Sequence, residues 1–93
     1  MKFGEHYERD RRHQPDRSHI TLEMCERVKN KPLQIREQED GRIVYWGYLP
    51  ERDRYLRVVV LADGETIWTA HLDRNFRKKV QRGEAPGQVE TEE

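Results

Sequence analysis

The spacing of apolar residues changes once along the chain. Phe3 and Tyr7 are separated by one helical turn, which predicts a short helix over about residues 4–13, ended by Pro15. Ile20, Met24, Cys25 and Val28 mark one face of a better helix over residues 18–31. Ser18 or Thr21 can cap its start, and Asn30 and Pro32 stop it. From Leu33 the period becomes two. LQIREQE, RIVYWGYL, RYLRVVVLA and ETIWTAHL read as four strands. Asp40-Gly41, Pro50-Glu51-Arg52-Asp53 and Asp63-Gly64 separate them as turns, and Asp-Gly between alternating runs is a strong hairpin signal. The expected fold is α+β: two N-terminal helices packed on a four-stranded antiparallel meander. Residues 73–83 follow as a short C-terminal helix or an irregular basic arm.

Reading the two Asp-Gly pairs as two-residue turns fixes which side chains share a face. Ile35 then falls opposite Trp46, Arg36 opposite Tyr45, Val59 opposite Trp68 and Leu56 opposite His71. Four loop residues at 50–53 place Tyr48 opposite Tyr55 and Gly47 opposite Leu56. One face would carry Leu33, Ile35, Val44, Trp46, Tyr48, Val59, Leu61, Trp68 and Leu72 and pack on the helices. The other would carry Ile43, Leu56, Val58, Val60, Ile67 and Thr69. It would also gather Arg36, Tyr45 and His71 beside Gly47, which leaves room for an approaching group.

Composition adds limits. The chain has 93 residues, 33% hydrophobic and 39% charged, which suits one domain with a modest core between Ile20 and Leu72. Residues 1–83 are read as that domain and 84–93 as an acidic, disordered tail. Formal net charge is zero but unevenly spread. Arg74, Arg77, Lys78, Lys79 and Arg82 form a run without an acid, and Glu84, Glu90, Glu92 and Glu93 follow without a base. A neutral chain can still offer phosphate a local basic face. The one cysteine, Cys25, allows no intramolecular disulfide and lies on the apolar helix face, where a thiol is usually inert. The N-terminus has no apolar signal region, and no run approaches the roughly 20 residues of a membrane span, so a cytoplasmic protein is expected.

His6, His13, His19 and His71 have no metal-ligand spacing, no CxxC exists and no glycine-rich phosphate loop is present, so neither metal nor cofactor is expected. RNA cleavage without a metal needs proton transfer and cations for the phosphorane charge. Histidine titrates in the useful range, tyrosine stacks or shuttles a proton, and arginine forks onto phosphate. His71, Tyr45 and Arg36 are the candidate catalytic residues. Arg57, Arg74, Arg77, Lys78 and Lys79 are candidate RNA ligands. Taken singly, each has a plainer reading as a solvated strand-end or surface residue.

HITLEMCERVKNKP, followed by DGRIVYWGYLP and RYLRVVVLADGETIWTAHLDRNF, resembles the small toxin-like domains related to RelE, ParE and BrnT. The resemblance covers about residues 5–79 and rests on the order of elements. It implies helices on a twisted antiparallel sheet, a messenger-RNA endonuclease and an antitoxin protein that covers the active face. It also implies variable catalytic residues on the sheet and at its C-terminal end, here His71 and the stretch Arg74 to Lys79. ParE relatives act on gyrase, so the fold leaves activity open. A non-catalytic interaction module is the second reading, binding a partner or a second copy through the sheet edge or through Val58, Val60 and Ile67.

Overall fold

The computed structural model describes residues 1–5, 7–9 and 20–84. Helix α1 (Leu22–Asn30) is followed by strands β2 (Gln34–Glu37), β3 (Ile43–Leu49), β4 (Arg54–Val60) and β5 (Thr66–Leu72), then helix α2 (Arg74–Gln81). A short strand β1 (Lys2–Phe3) precedes them. The sheet order is β1-β5-β4-β3-β2, so the expected antiparallel meander is present and gains a fifth strand. β1 lies parallel to β5, with Lys2 beside Thr66 and Phe3 beside Ile67. That pairing joins distant parts of the chain and leaves no local pattern to read. Glu5 and residues 7–9 are helical. The rest of the expected first helix, together with His6, His13, Ser18, His19 and the tail beyond Glu84, lies outside the described residues.

Thr21 caps α1, its hydroxyl accepting from Met24 N–H at 3.2 Å. Cys25 and Val28 are buried from this helix, as its apolar stripe predicted. They join Tyr7, Ile20, Leu49, Leu56, Val58, Val60, Ile67 and Ala70 in the larger core, with Phe3, Tyr45 and Leu72 packed at its margin. Each large buried side chain contributes roughly 1.5–3 kcal/mol. The sheet face under α1 is therefore the aliphatic one carrying Tyr45, Val58 and Val60, and the assignment of the tryptophan face to the helix pair is corrected. Val58, Val60 and Ile67 are fully buried, which closes them to a partner. The opposite face carries a second core of Val44, Trp46, Tyr55, Val59 and Phe76, covered by α2.

Two local insertions account for the corrected faces. At the first hairpin, Gly41 N–H donates to Gln38 C=O at 3.0 Å, and Gln38 N–H donates to Arg42 C=O at 2.8 Å. This is a three-residue loop whose last residue, Gly41, holds φ +91°. The register is thus Ile35 with Tyr45 and Arg36 with Val44, one residue away from a two-residue turn. At the last hairpin, Val60 pairs with Ile67 but Val59 pairs with Thr69, so Trp68 is the extra residue of a bulge. Beyond the bulge, His71 faces Arg57 and Leu72 faces Leu56, not the expected His71 with Leu56. The middle hairpin keeps the expected register, Tyr48 with Tyr55 and Gly47 with Leu56.

The space directly above Gly47 is taken by α1, and Gly47 lines a cleft of about 380 Å³ beside it with Arg27, Val28, Asn30, Lys31 and Tyr48. A Cβ on Gly47 would stand 2.9 Å from Val28 Cγ2, because α1 crosses the sheet at this point. Gly47→Ala should lower stability by about 1–3 kcal/mol through overpacking, read as a lower urea midpoint at unchanged slope. An effect below the error of that measurement would show that α1 shifts freely.

Asp63 holds the last hairpin turn. Its carboxylate accepts from Glu65 N–H at 2.8 Å, Thr66 N–H at 2.9 Å and the Thr66 hydroxyl at 2.6 Å. These bonds, that of the Thr66 hydroxyl foremost, hold its pKa down to about 2 from an ordinary 3.8. The depressed value means that Asp63 stabilises the fold fully above about pH 4 and loses that contribution as pH falls through about 2. Urea unfolding across this window should show a shallower acid-side decline for Asp63→Ala than for the parent. Equal declines would exclude this linkage.

Candidate functional site

Asp73 builds the covered end of the tryptophan face. It is the N-cap of α2, its Oδ1 accepting from Phe76 N–H at 2.9 Å. Its other oxygen accepts from Trp46 Nε1 at 3.0 Å. Asp73 N–H in turn donates to Tyr55 C=O at 2.8 Å. One residue thus starts the helix, holds it to β4 and fixes the indole of β3. Phe76 then stacks on Trp46 with centroids 5.6 Å apart and 11° between planes, and meets Tyr55 edge-on at 5.3 Å. Residues 73–83, left open between helix and arm, form this helix because LDRNF carries an N-cap aspartate and a buried aromatic anchor.

The corrected registers place Gln34, Trp46, Arg57 and His71 in one row across β2, β3, β4 and β5, all on the tryptophan face. Arg36, Val44, Val59 and Thr69 form the next row. The Arg57 guanidinium lies 5.8 Å from the Trp46 ring centre, and that of Arg42 lies 4.2 Å from the Trp68 ring centre, both within cation–π range. Beside the first hairpin a cleft of about 600 Å³ opens, lined by Arg36, Val44, Trp46 and Arg57 and by the stretch Glu37 to Asp40. A smaller cleft of about 120 Å³ adjoins it at Arg36 and Trp46 and reaches Gln34, Asp73, Lys79 and Glu84. Arg36 and Arg57 thus share the larger cleft with three acids, and their guanidinium groups are of the type that forks onto an anion.

The residues singled out from the sequence separate into groups. Arg36, Arg57, Lys79 and His71 share the tryptophan face. Arg36, Arg57 and Lys79 line the clefts, while His71 stands one strand beyond, as Arg57's cross-strand partner. Tyr45 is on the opposite face at the margin of the core under α1, so the convergence of Arg36, Tyr45 and His71 does not occur. Arg57 lies over Trp46 of the second core. Arg74 and Lys78 are exposed on α2. Arg77 turns to the middle hairpin, donating to Asp53 C=O at 2.6 Å and pairing with the Asp53 carboxylate at 3.5 Å. The Tyr48 hydroxyl donates to the same carboxylate at 2.5 Å. That bond first, then the Arg77 charge, holds Asp53 below the usual carboxylate range.

Sequence reasoning missed Arg42, Gln34 and Asp73 as parts of this face, and read Trp46 on it as core alone. Only Asp73 carried a usable signal, the aspartate three residues before Phe76 at a helix start. Among the described residues, no three His, Cys, Asp or Glu side chains cluster as a metal would need, and no helix is long and apolar enough to cross a membrane. No protein-family model, curated protein or solved structure matches this chain.

Asp73→Ala removes the helix cap and the Trp46 partner together. It should cost about 1–3 kcal/mol, read by urea unfolding, and should alter the tryptophan emission of the native state. Unchanged emission and stability would show that α2 docks without this carboxylate.

Proposed function

We propose that the protein is a toxin-like RNA-directed domain that cleaves RNA on the tryptophan face without a metal. The observation that supports this most is the direct cross-strand pairing of His71 with Arg57, beside a cleft that also holds Arg36. A proton acceptor thus neighbours a phosphate ligand, which is the minimum that in-line attack by a 2′-hydroxyl requires. His71 takes the 2′-hydroxyl proton, the 2′-oxygen bonds to phosphorus and the bond to the 5′-oxygen breaks. The imidazolium so formed returns its proton to that leaving oxygen. Arg57 and Arg36 hold the non-bridging oxygens while charge builds on them. Lys79, and beyond it Arg74 and Lys78, extend the positive surface along α2. The order of elements, with N-terminal helical residues and α1 before the meander, accords with the RelE-like resemblance. An antitoxin protein covering this face is the partner that reading implies. Tyr45, under α1, takes no part.

Incubation of purified protein with long single-stranded RNA in excess chelator should give cleavage. His71→Ala should slow it by about 10²–10⁴-fold while RNA binding is retained, Arg57→Ala should weaken both, and Tyr45→Phe should change neither. Absence of cleavage, or cleavage indifferent to His71→Ala, would refute the mechanism.

A further inference from the structure

The sheet is incomplete beside the C-terminal end of α1. Strand β2 begins at Gln34, opposite Trp46, and Leu33 N–H makes the last bond of that ladder, to Trp46 C=O at 2.7 Å. Pro32 precedes Leu33 and has no N–H to give. With period two, Tyr48 N–H and C=O face the same way as those of Trp46, and among the described residues no backbone group meets them there. The position of Gly47, one residue back, faces α1, with Val28 directly above it. The cleft of about 380 Å³ opens at this place, lined by Arg27, Val28, Asn30, Lys31, Gly47 and Tyr48. Its volume falls within that of small-ligand sites, roughly 300–1,000 Å³.

The groups of this cleft divide into those already engaged and those still open. Arg27 donates to both oxygens of the Glu51 carboxylate, and the Tyr48 hydroxyl donates to Asp53. Among the described residues, the Lys31 ammonium, the Asn30 side-chain amide and Tyr48 N–H have no partner, and all three are donors. Unlike the two clefts of the tryptophan face, this one has no acid in its lining. Glu51 neutralises Arg27, so the charge left open is the single positive one of Lys31. Val28 and the bare backbone of Gly47 supply an apolar wall. The last carbonyls of α1 oppose an anion at this end of the helix, and Lys29 and Lys31 offset them.

We infer that this cleft binds a small carboxylate with a flat apolar body, an aromatic monocarboxylate being the simplest case. The carboxylate accepts from Tyr48 N–H, the Asn30 amide and the Lys31 ammonium, and the ring lies beside Val28 and the backbone of Gly47. The bond to Lys31 joins opposite charges and is the strongest of the set. One ammonium matches one carboxylate. A phosphate would leave a charge unmatched and the apolar wall uncovered. The cleft shares no residue with the face of His71 and Arg57, so this site does not rest on the RNA reading.

Titration of the whole protein with benzoate at neutral pH, followed by amide chemical shifts, tests the site. The Gly47 and Tyr48 signals should move saturably, with a Kd of about 1–10 mM, the range open to so few atoms. Acetate, which lacks the ring, and benzamide, which lacks the charge, should each bind roughly tenfold more weakly. Lys31→Gln should weaken benzoate by about the same factor and leave the urea midpoint unchanged, since Lys31 is exposed. Four results would each overturn the inference: no saturable movement at Gly47 and Tyr48, acetate or inorganic phosphate binding as tightly as benzoate, shifts centred on Arg36 and Arg57, or a Lys31→Gln variant that binds benzoate like the parent.

Discussion

Strand parity is the constraint on which this molecule depends. A side chain in a strand points to one face or the other, and a single added residue reverses every position beyond it. The chain adds a residue twice: in the loop that ends at Gly41, and at Trp68 in β5. The first moves Arg36 to the face of Trp46 and leaves Ile35 beside Tyr45 at the open edge. The second puts Thr69 and His71 on the face of Trp46 and turns Ala70 into the aliphatic core with Ile67. Without either insertion, the same strands would present a different set of groups together.

The two faces are then stabilised by different means. Under α1, packing is aliphatic and close, and Gly47 is bare because Val28 occupies the space above it. Under α2, one carboxylate organises an aromatic cluster. Asp73 couples the helix start to the indole of Trp46, and Phe76 fills the gap between Trp46 and Tyr55. Because α2 covers only one end of this face, arginines lie over the remainder. The Arg57 guanidinium lies over Trp46 and that of Arg42 over Trp68. The arginines of the site are thus part of the cover of a sheet with few apolar residues.

Acids adjoin the same region. Glu37, Glu39 and Asp40 line the larger cleft with Arg36 and Arg57, and Arg42 pairs with the Asp40 carboxylate at 3.4 Å. The cleft is therefore mixed in charge, with Arg36 and Arg57 on the strands and the acids at the first hairpin.

Local sequence determined the elements themselves. Apolar spacing marked α1 and its buried Cys25 and Val28, alternation marked the four meander strands, and turn chemistry located all three hairpins. These signals are short-range, as are the forces that produce them. The middle register is the one that follows if residues 50–53 form a four-residue loop, Tyr48 with Tyr55. The faces at the other two hairpins were not legible. Asp-Gly suits a two-residue turn and a three-residue loop alike, and nothing in ETIWTAHL marks Trp68 as a bulge. Only tertiary packing chose, by setting Ile67 and Ala70 together beneath the helices and Trp68 with the aromatic cluster. β1 likewise came from a contact between chain segments far apart. His71 kept its place at the strand end, but its neighbours changed from Tyr45 to Arg57, since proximity across strands depends on register and register on the whole sheet.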